Sequence, residues 1–380
     1  MTIQKTGADR LRARYWPCRR NKSPLIHWSD LQDSMKPGAQ SGTQRWFSMV
    51  LTLVFASQVR SLGLSVQTSA QDRLRQATQL ISEQKFEAAR EILEAMLASA
   101  DEAPPPETYY ELAVCYLKQT RWKQAEDTLE IFLRLSPQNP SALYLKGYLL
   151  FRTERYEESL RVMELLIKRQ PANGASQKVI GLDHFMLGKI ERAEEELKRA
   201  TELAPQDAEA YYYLGRIYFT RNNLPAALAT FQRAADLDPS SVKTFNHLGQ
   251  TYEALVQYAE ACAAYLRAIE LEKHQPTKSE WPYFNLGSLY LKQGRAAEAV
   301  DYLRQALTYN PAWSEGKARL AMALISLGKL PEALSLLEAA VQLDRSNADA
   351  RYQYARLLAR MGKQDEAERQ LLLFQELKKP

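Results

Sequence analysis

The chain has 380 residues, 46% of them hydrophobic and 25% charged, and its length alone suggests two or three globular domains. Its formal charge of +5 is unevenly placed: residues 1–69 hold ten Lys and Arg against three Asp, leaving 40 basic and 42 acidic residues in the remainder. A near-neutral remainder lacks the electrostatic footprint of a phosphate-binding surface, so nucleic acid is excluded as the expected partner.

Residues 1–34, rich in Arg, Trp and Pro without helical periodicity, are predicted to be disordered or to lie upstream of a true start at Met35. A short basic stretch then leads through Arg45 to the apolar run WFSMVLTLVFA, residues 46–56. As a helix this run spans ~16 Å, short of the ~30 Å of a bilayer core. Its length fits the apolar region of a secretory leader. Residues 35–70 are therefore read as a signal peptide or a short N-terminal anchor, with a cut just before Gln71 or after Ala56. The expected location is exported, periplasmic or membrane-associated, in a bacterium; the alternative is cytoplasmic.

From residue 70 onward the pattern becomes periodic. In YYYLGRIYFTRNNLPAALATFQRAADLDP, residues 211–239, Tyr211, Leu214, Gly215 and Tyr218 mark one face of a helix. Arg221, Asn222 and Asn223 break the pattern, and Leu224, Ala227, Phe231 and Ala234 resume it until Pro239 ends it. This predicts a helical hairpin whose helices approach closely at Gly215 and Ala227. A shift of 34 residues finds the same hairpin again, with Gly181, Gly147 and Ala113 before the Gly215 site and Gly249 after it. The Ala227 site recurs as Ala193, Ser159, Ala125 and Ala261, and the proline as Pro205, Pro171 and Pro137. Four extra residues near His274 shift the phase, after which Gly287, Ala321 and Ala355 fill the first small site.

Nine units result: about 70–105, 106–139, 140–173, 174–207, 208–241, 242–279, 280–313, 314–347 and 348–380. The first small site is Gly or Ala in all nine and the second is Ala in eight, which chance does not sustain. The period, with this order of small, aromatic and proline sites, resembles the tetratricopeptide repeat family. The resemblance implies an all-α fold, a right-handed superhelical solenoid of about nine hairpins over residues 71–380, with the first helices lining a concave groove.

The residues offer little for chemistry. No metal-ligand spacing joins the histidines, and CxxC, HExxH, GxSxG and a Walker glycine loop are all absent from the sequence. No cofactor, no metal, no small-molecule substrate and no catalytic residue are expected. His184 stands where the next unit has Tyr218, which predicts a place in the hairpin core. Cys115 and Cys262 are read as free, buried thiols. Relatives that grip a C-terminal carboxylate need a Lys three residues before the first small site and an Asn one after it; here Lys178 is followed by Leu182, so that clamp is missing.

The function that the resemblance implies is a non-enzymatic scaffold that binds a protein or peptide segment in its concave groove, in cell-envelope assembly. A structural, non-catalytic subunit of an enzyme or secretion complex is the alternative. Tyr110, Tyr144 and Tyr212 lie three residues before the first small site, Tyr148 one after it, and Phe151, Phe185 and Phe219 four after it. They are expected as exposed rings along the groove. The longer linker Glu272–Pro282 is expected to disturb the stacking and to set Trp281 on the lip. Leu373 and Leu377 are expected to face the place of an absent tenth unit, so that the C-terminal end self-associates.

Overall fold

A computed structural model describes residues 69–99 and 103–378. The proposed leader with its apolar run, and the segment 1–34, lie outside the described residues. Among the described residues there are eighteen helices and no strand, as the sequence predicts. They divide between two compact units, Met1–Pro205 and Gln206–Pro380.

The first unit holds α1 (Ala70–Ser82), α2 (Phe86–Ala98), α3 (Glu107–Lys118), α4 (Trp122–Leu135), α5 (Pro140–Arg152), α6 (Tyr156–Arg169), α7 (Gly174–Met186) and α8 (Ile190–Leu203). The second holds α9 (Ala208–Thr220), α10 (Leu224–Leu237), α11 (Val242–Ala254), α12 (Tyr258–Glu272), α13 (Trp281–Lys292), α14 (Ala296–Tyr309), α15 (Ser314–Ser326), α16 (Leu330–Leu343), α17 (Ala348–Arg360) and α18 (Gln364–Lys378). Within each unit every odd helix packs on the even helix that follows, and each hairpin packs on the next. Each unit is thus an all-α solenoid of helical hairpins.

Every hairpin closes in one way. The residue that leaves the first helix is left-handed: Gln84, Thr120, Glu154 and Gly188 in the first unit, Asn222, Val256, Gly294, Gly328 and Gly362 in the second, with φ from 56° to 80°. The next amide donates to a carbonyl five residues back, Arg121 to Tyr116 at 2.9 Å and Lys189 to His184 at 2.8 Å, which satisfies the orphan end of the first helix. The carbonyl of the same residue opens the second helix, as Arg121 does by accepting from the Ala125 amide at 3.0 Å. Six of the nine described first helices are capped by a side chain from the loop before them, Asn139 accepting from the Ala142 amide at 3.0 Å and Asp207 from the Ala210 amide at 3.0 Å.

The small sites have a steric cause. A Cβ placed on Gly147 would lie 2.7 Å from Met163 Cε, on Gly181 2.6 Å from Leu197 Cγ, and on Gly215 2.7 Å from the Phe231 ring. Gly249 stands under the Tyr265 ring in the same way. Where the first site is Ala113 or Ala321, the facing residue is the smaller-ended Leu129 or Leu337, both fully buried. A ring across the hairpin is met by glycine, at Gly215 and Gly249, whereas leucine is met by alanine at Ala113 and Ala321 and by glycine at Gly181 and Gly287.

Two departures from the pattern meet in the first unit. Ser159, the only non-alanine at the second small site, donates its hydroxyl to the Gly147 carbonyl at 2.9 Å. Beside it stands the carboxyl of Asp183, two residues after the first small site of the next hairpin. Cys115 and Leu149 fill that register in the neighbouring hairpins, and Ile217, Leu289 and Leu357 fill it in the second unit, all of them buried.

The linker does not loosen the second unit as the sequence predicts. The buried Glu272 carboxylate accepts from the Ser279 amide, and Lys278 Nζ donates to the carbonyls of Glu272 and Lys273 at 2.5 and 2.7 Å. The extra residues fold back on their own helix end. Across the joint Asn285 Nδ2 donates to Asn246 Oδ1 at 2.9 Å, and α13 remains stacked on α12.

Candidate protein-binding groove

In the first unit the aromatic registers form a continuous set of rings. Tyr144 stacks on Tyr148 with centroids 6.4 Å apart and planes 9° apart, Tyr148 meets Phe151 at 6.4 Å, and Phe151 meets Tyr156 at 5.9 Å. The stack follows from helix geometry, since residues four apart share a face. Tyr110 lies on Phe132 at 5.6 Å. Arg152 closes the set: its Nη1 donates to the Tyr148 hydroxyl at 2.8 Å, and its guanidinium lies 5.1 Å from the centroid of the Trp122 ring.

In the second unit Tyr212 touches Tyr213 at 5.1 Å, Phe231 at 6.0 Å and, edge-on, His247 at 5.3 Å. His247 Nδ1 donates to the Lys243 carbonyl at 2.9 Å. Burial, helped by the positive charge of Arg216, pushes that imidazole down to about 3, so it is neutral at any physiological pH. Lys243 stands 4.5 Å from the centroid of the Tyr212 ring and pairs with Glu209 at 3.5 Å.

The rings are not open in the way the sequence predicts. Tyr110, Tyr144, Tyr148, Phe185 and Tyr212 are all buried, Tyr144 to 1% exposure, while Phe151 and Phe219 alone of the seven stay partly exposed. Sequence position places a ring on a helix face, but it does not say how far flanking helices and neighbouring rings cover it. Trp281 is corrected similarly. Rather than standing free on a lip, it is half-buried against Trp313 at 4.9 Å and Phe284 at 5.9 Å. Leu373 and Leu377 are exposed at 43% and 40%, with Leu372 beside them at 61%. Phe374, on the same helix, turns back onto Tyr352 at 5.2 Å.

His184 is buried, as predicted, and burial lowers its pKa. Cys115 and Cys262 are free thiols, the first buried and the second half-buried, with its Sγ 3.4 Å from the Tyr290 hydroxyl. Burial pushes the Cys115 thiol up to about 12, which leaves it unreactive. Among the described residues no group of three or more His, Cys, Asp or Glu could hold a metal ion.

Sequence reasoning missed a cavity of about 680 Å³ in the second unit, at the N-terminal ends of α15 and α17. Trp313 and Met322 give it apolar walls, and Glu315, Arg319, Asp344 and Asp349 give it charge. The Trp313 indole is fixed from behind by Phe284 at 4.4 Å and by Trp281. The readable signal was Glu315 and Asp349, acids of one sign at the same register of successive repeats.

Antiparallel hairpins that repeat every 34 residues and touch through paired small sites define a helical-repeat protein. The chain belongs to the tetratricopeptide repeat family, whose models match residues 80–131, 110–174, 179–242, 241–312, 290–336 and 324–374. A search of curated protein sequences returned no match. Solved structures match in large number, 497 chains, so the fold by itself does not select a function. The chain is similar to the Cut9–Hcn1 hetero-tetramer of the APC/C, with 15% identity and a TM-score of 0.56 over 76% of this chain and 56% of that one. It is also similar to YrrB, described as a TPR protein with an unusual peptide-binding site, at 25% identity and a TM-score of 0.40 over 49% of this chain and 93% of that one. PilF of Pseudomonas aeruginosa aligns at 21% identity with a TM-score of 0.48, over 56% of this chain and 94% of that one.

Proposed function

We propose that the chain is a non-catalytic protein-interaction scaffold that binds a peptide or protein segment along the aromatic registers of its first helices. The observation that carries this reading is the ring set Tyr144, Tyr148 and Phe151, locked by ring contacts and by Arg152 yet reaching the surface at Phe151. Rigid aromatic edges lose little entropy on contact and are the usual energetic centres of interfaces. Phe151 is the residue to change, because truncating the buried Tyr144 would cost core stability as well. A Phe151→Ala variant with unchanged helicity is expected to lose the partner by about tenfold or more in a quantitative co-purification. Recovery of a stoichiometric partner at wild-type yield would replace the groove reading with that of a structural subunit.

Export to the bacterial cell envelope and work in its assembly belong to the same proposal, supported by the run at residues 46–56 behind Arg45. N-terminal sequencing of the native protein tests it, since a start upstream of Met35 would overturn the leader. Self-association through the exposed Leu373 and Leu377 is proposed as well. Light scattering should give a larger mass for the wild type than for a Leu373→Glu, Leu377→Glu variant, and equal masses would refute it.

A further inference from the structure

The second residue of a first helix recurs one repeat later, and the second unit uses this position in two ways. Glu209 and Lys243, 34 residues apart, carry opposite charges and pair at 3.5 Å. Glu315 and Asp349 hold the same spacing with one sign. Both line the 680 Å³ cavity, together with Asp344. Among the described residues that line it the cation is Arg319, which does not pair closely with either carboxylate. Its Nη2 stays 3.9 Å from Glu315, and its guanidinium lies over the Phe284 ring, 5.7 Å from the centroid. Burial raises the Glu315 pKa, Arg319 lowers it, and the Asp349 charge raises it again, as expected of carboxylates without enough counter-charge.

One wall of the space is a fixed indole, and two carboxylates of one sign stand in the same lining. A planar guanidinium matches both features, because it bonds carboxylates through paired N–H groups and stacks on aromatic faces. We propose that this cavity receives an arginine side chain of the partner segment, its guanidinium between Glu315 and Asp349 and against the Trp313 indole. The proposal rests on the scaffold reading and adds a basic residue to the chemistry of the partner.

The test uses the full chain and a defined probe, so it does not depend on finding the natural partner. A capped alanine-based peptide with one central arginine is titrated against its lysine, glutamine and glutamate counterparts, with amide NMR shifts as the readout. The arginine peptide is expected to shift residues 313–319 and 347–353, to bind at least about tenfold more tightly than the glutamine peptide, and to weaken in 0.5 M salt. A Glu315→Gln, Asp349→Asn variant should lose about tenfold of that binding; the Glu315 side chain is half-exposed, at 52%, and Asp349 is exposed, so the fold is retained and circular dichroism verifies it. Equal binding of arginine and glutamine peptides, or full binding by the double variant, overturns the proposal. Equal binding of arginine and lysine overturns the choice of a guanidinium. If the double variant also keeps its co-purified partner while Phe151→Ala loses it, the cavity assignment fails and the scaffold reading stands.

Discussion

Replacing Asp183 should change how the first unit responds to pH. Its side chain is 0% exposed, neither carboxylate oxygen accepts a well-formed hydrogen bond, and the neighbouring Ser159 proton is already committed to the Gly147 carbonyl. Burial therefore pushes the Asp183 carboxyl from its ordinary 3.8 up to about 8, with Ser159 pulling it down and the Glu157 charge adding to the rise. Between those values the folded protein holds a proton that the unfolded chain has released, so stability falls as pH rises through the window. One proton corresponds to about 1.4 kcal/mol per pH unit, or roughly 3 kcal/mol between pH 5.5 and 7.5. In Asp183→Asn the amide cannot ionise and can donate to Ser159 Oγ, so this component disappears. Urea unfolding followed by circular dichroism at both pH values, wild type against variant, isolates the group from Glu111, which burial also raises, to about 7. A wild-type loss exceeding that of the variant by more than about 1 kcal/mol is expected. Parallel pH profiles would refute the assignment of a protonated acid in the repeat core.

Gly215→Ala should destabilise the second unit by about 1–3 kcal/mol in thermal or urea unfolding, because the added methyl meets the Phe231 ring at 2.7 Å, although the same change in an open helix is favourable. Val256→Gly should stabilise it by about 1 kcal/mol, since a branched side chain at φ 64° is strained and this one, 66% exposed, packs little. Glu272→Ala removes the acceptor that holds the Ser279 amide, and limited trypsin digestion should then cut after Lys278 faster than in the wild type.

The repeat architecture was legible because its causes are local and recur. The small residue at the Gly215 site leaves a mark at every copy of the period, whereas the left-handed turn residue varies from Gln84 to Val256 to Gly362. The state of the aromatic registers was not legible, because Phe185 and Phe219 hold the same place in the pattern but are covered differently by their surroundings. Ser159 and Asp183 were each visible as sequence features, one as a departure and one as an acid in an apolar register. That they meet is evident only once one hairpin is stacked on the next. The Glu315 and Asp349 pair could have been found by comparing charge signs at one register, as the Glu209 and Lys243 pair shows.

The glycine beneath the Phe231 and Tyr265 rings also limits how such an array can be rearranged over generations. A crossover inside a hairpin, between α9 and α10, would place Phe231 opposite an alanine such as Ala113 and leave Gly215 opposite a leucine such as Leu129. The first recombinant holds a clash that costs a few kcal/mol, whereas the second repeats the native pairing of Gly181 with Leu197. A crossover in the loops that hold Pro205 or Pro239 moves both partners together and keeps every pair intact. Copies of this unit can therefore be gained, lost or shuffled as whole hairpins, with inheritance broken at the prolines rather than at the turns.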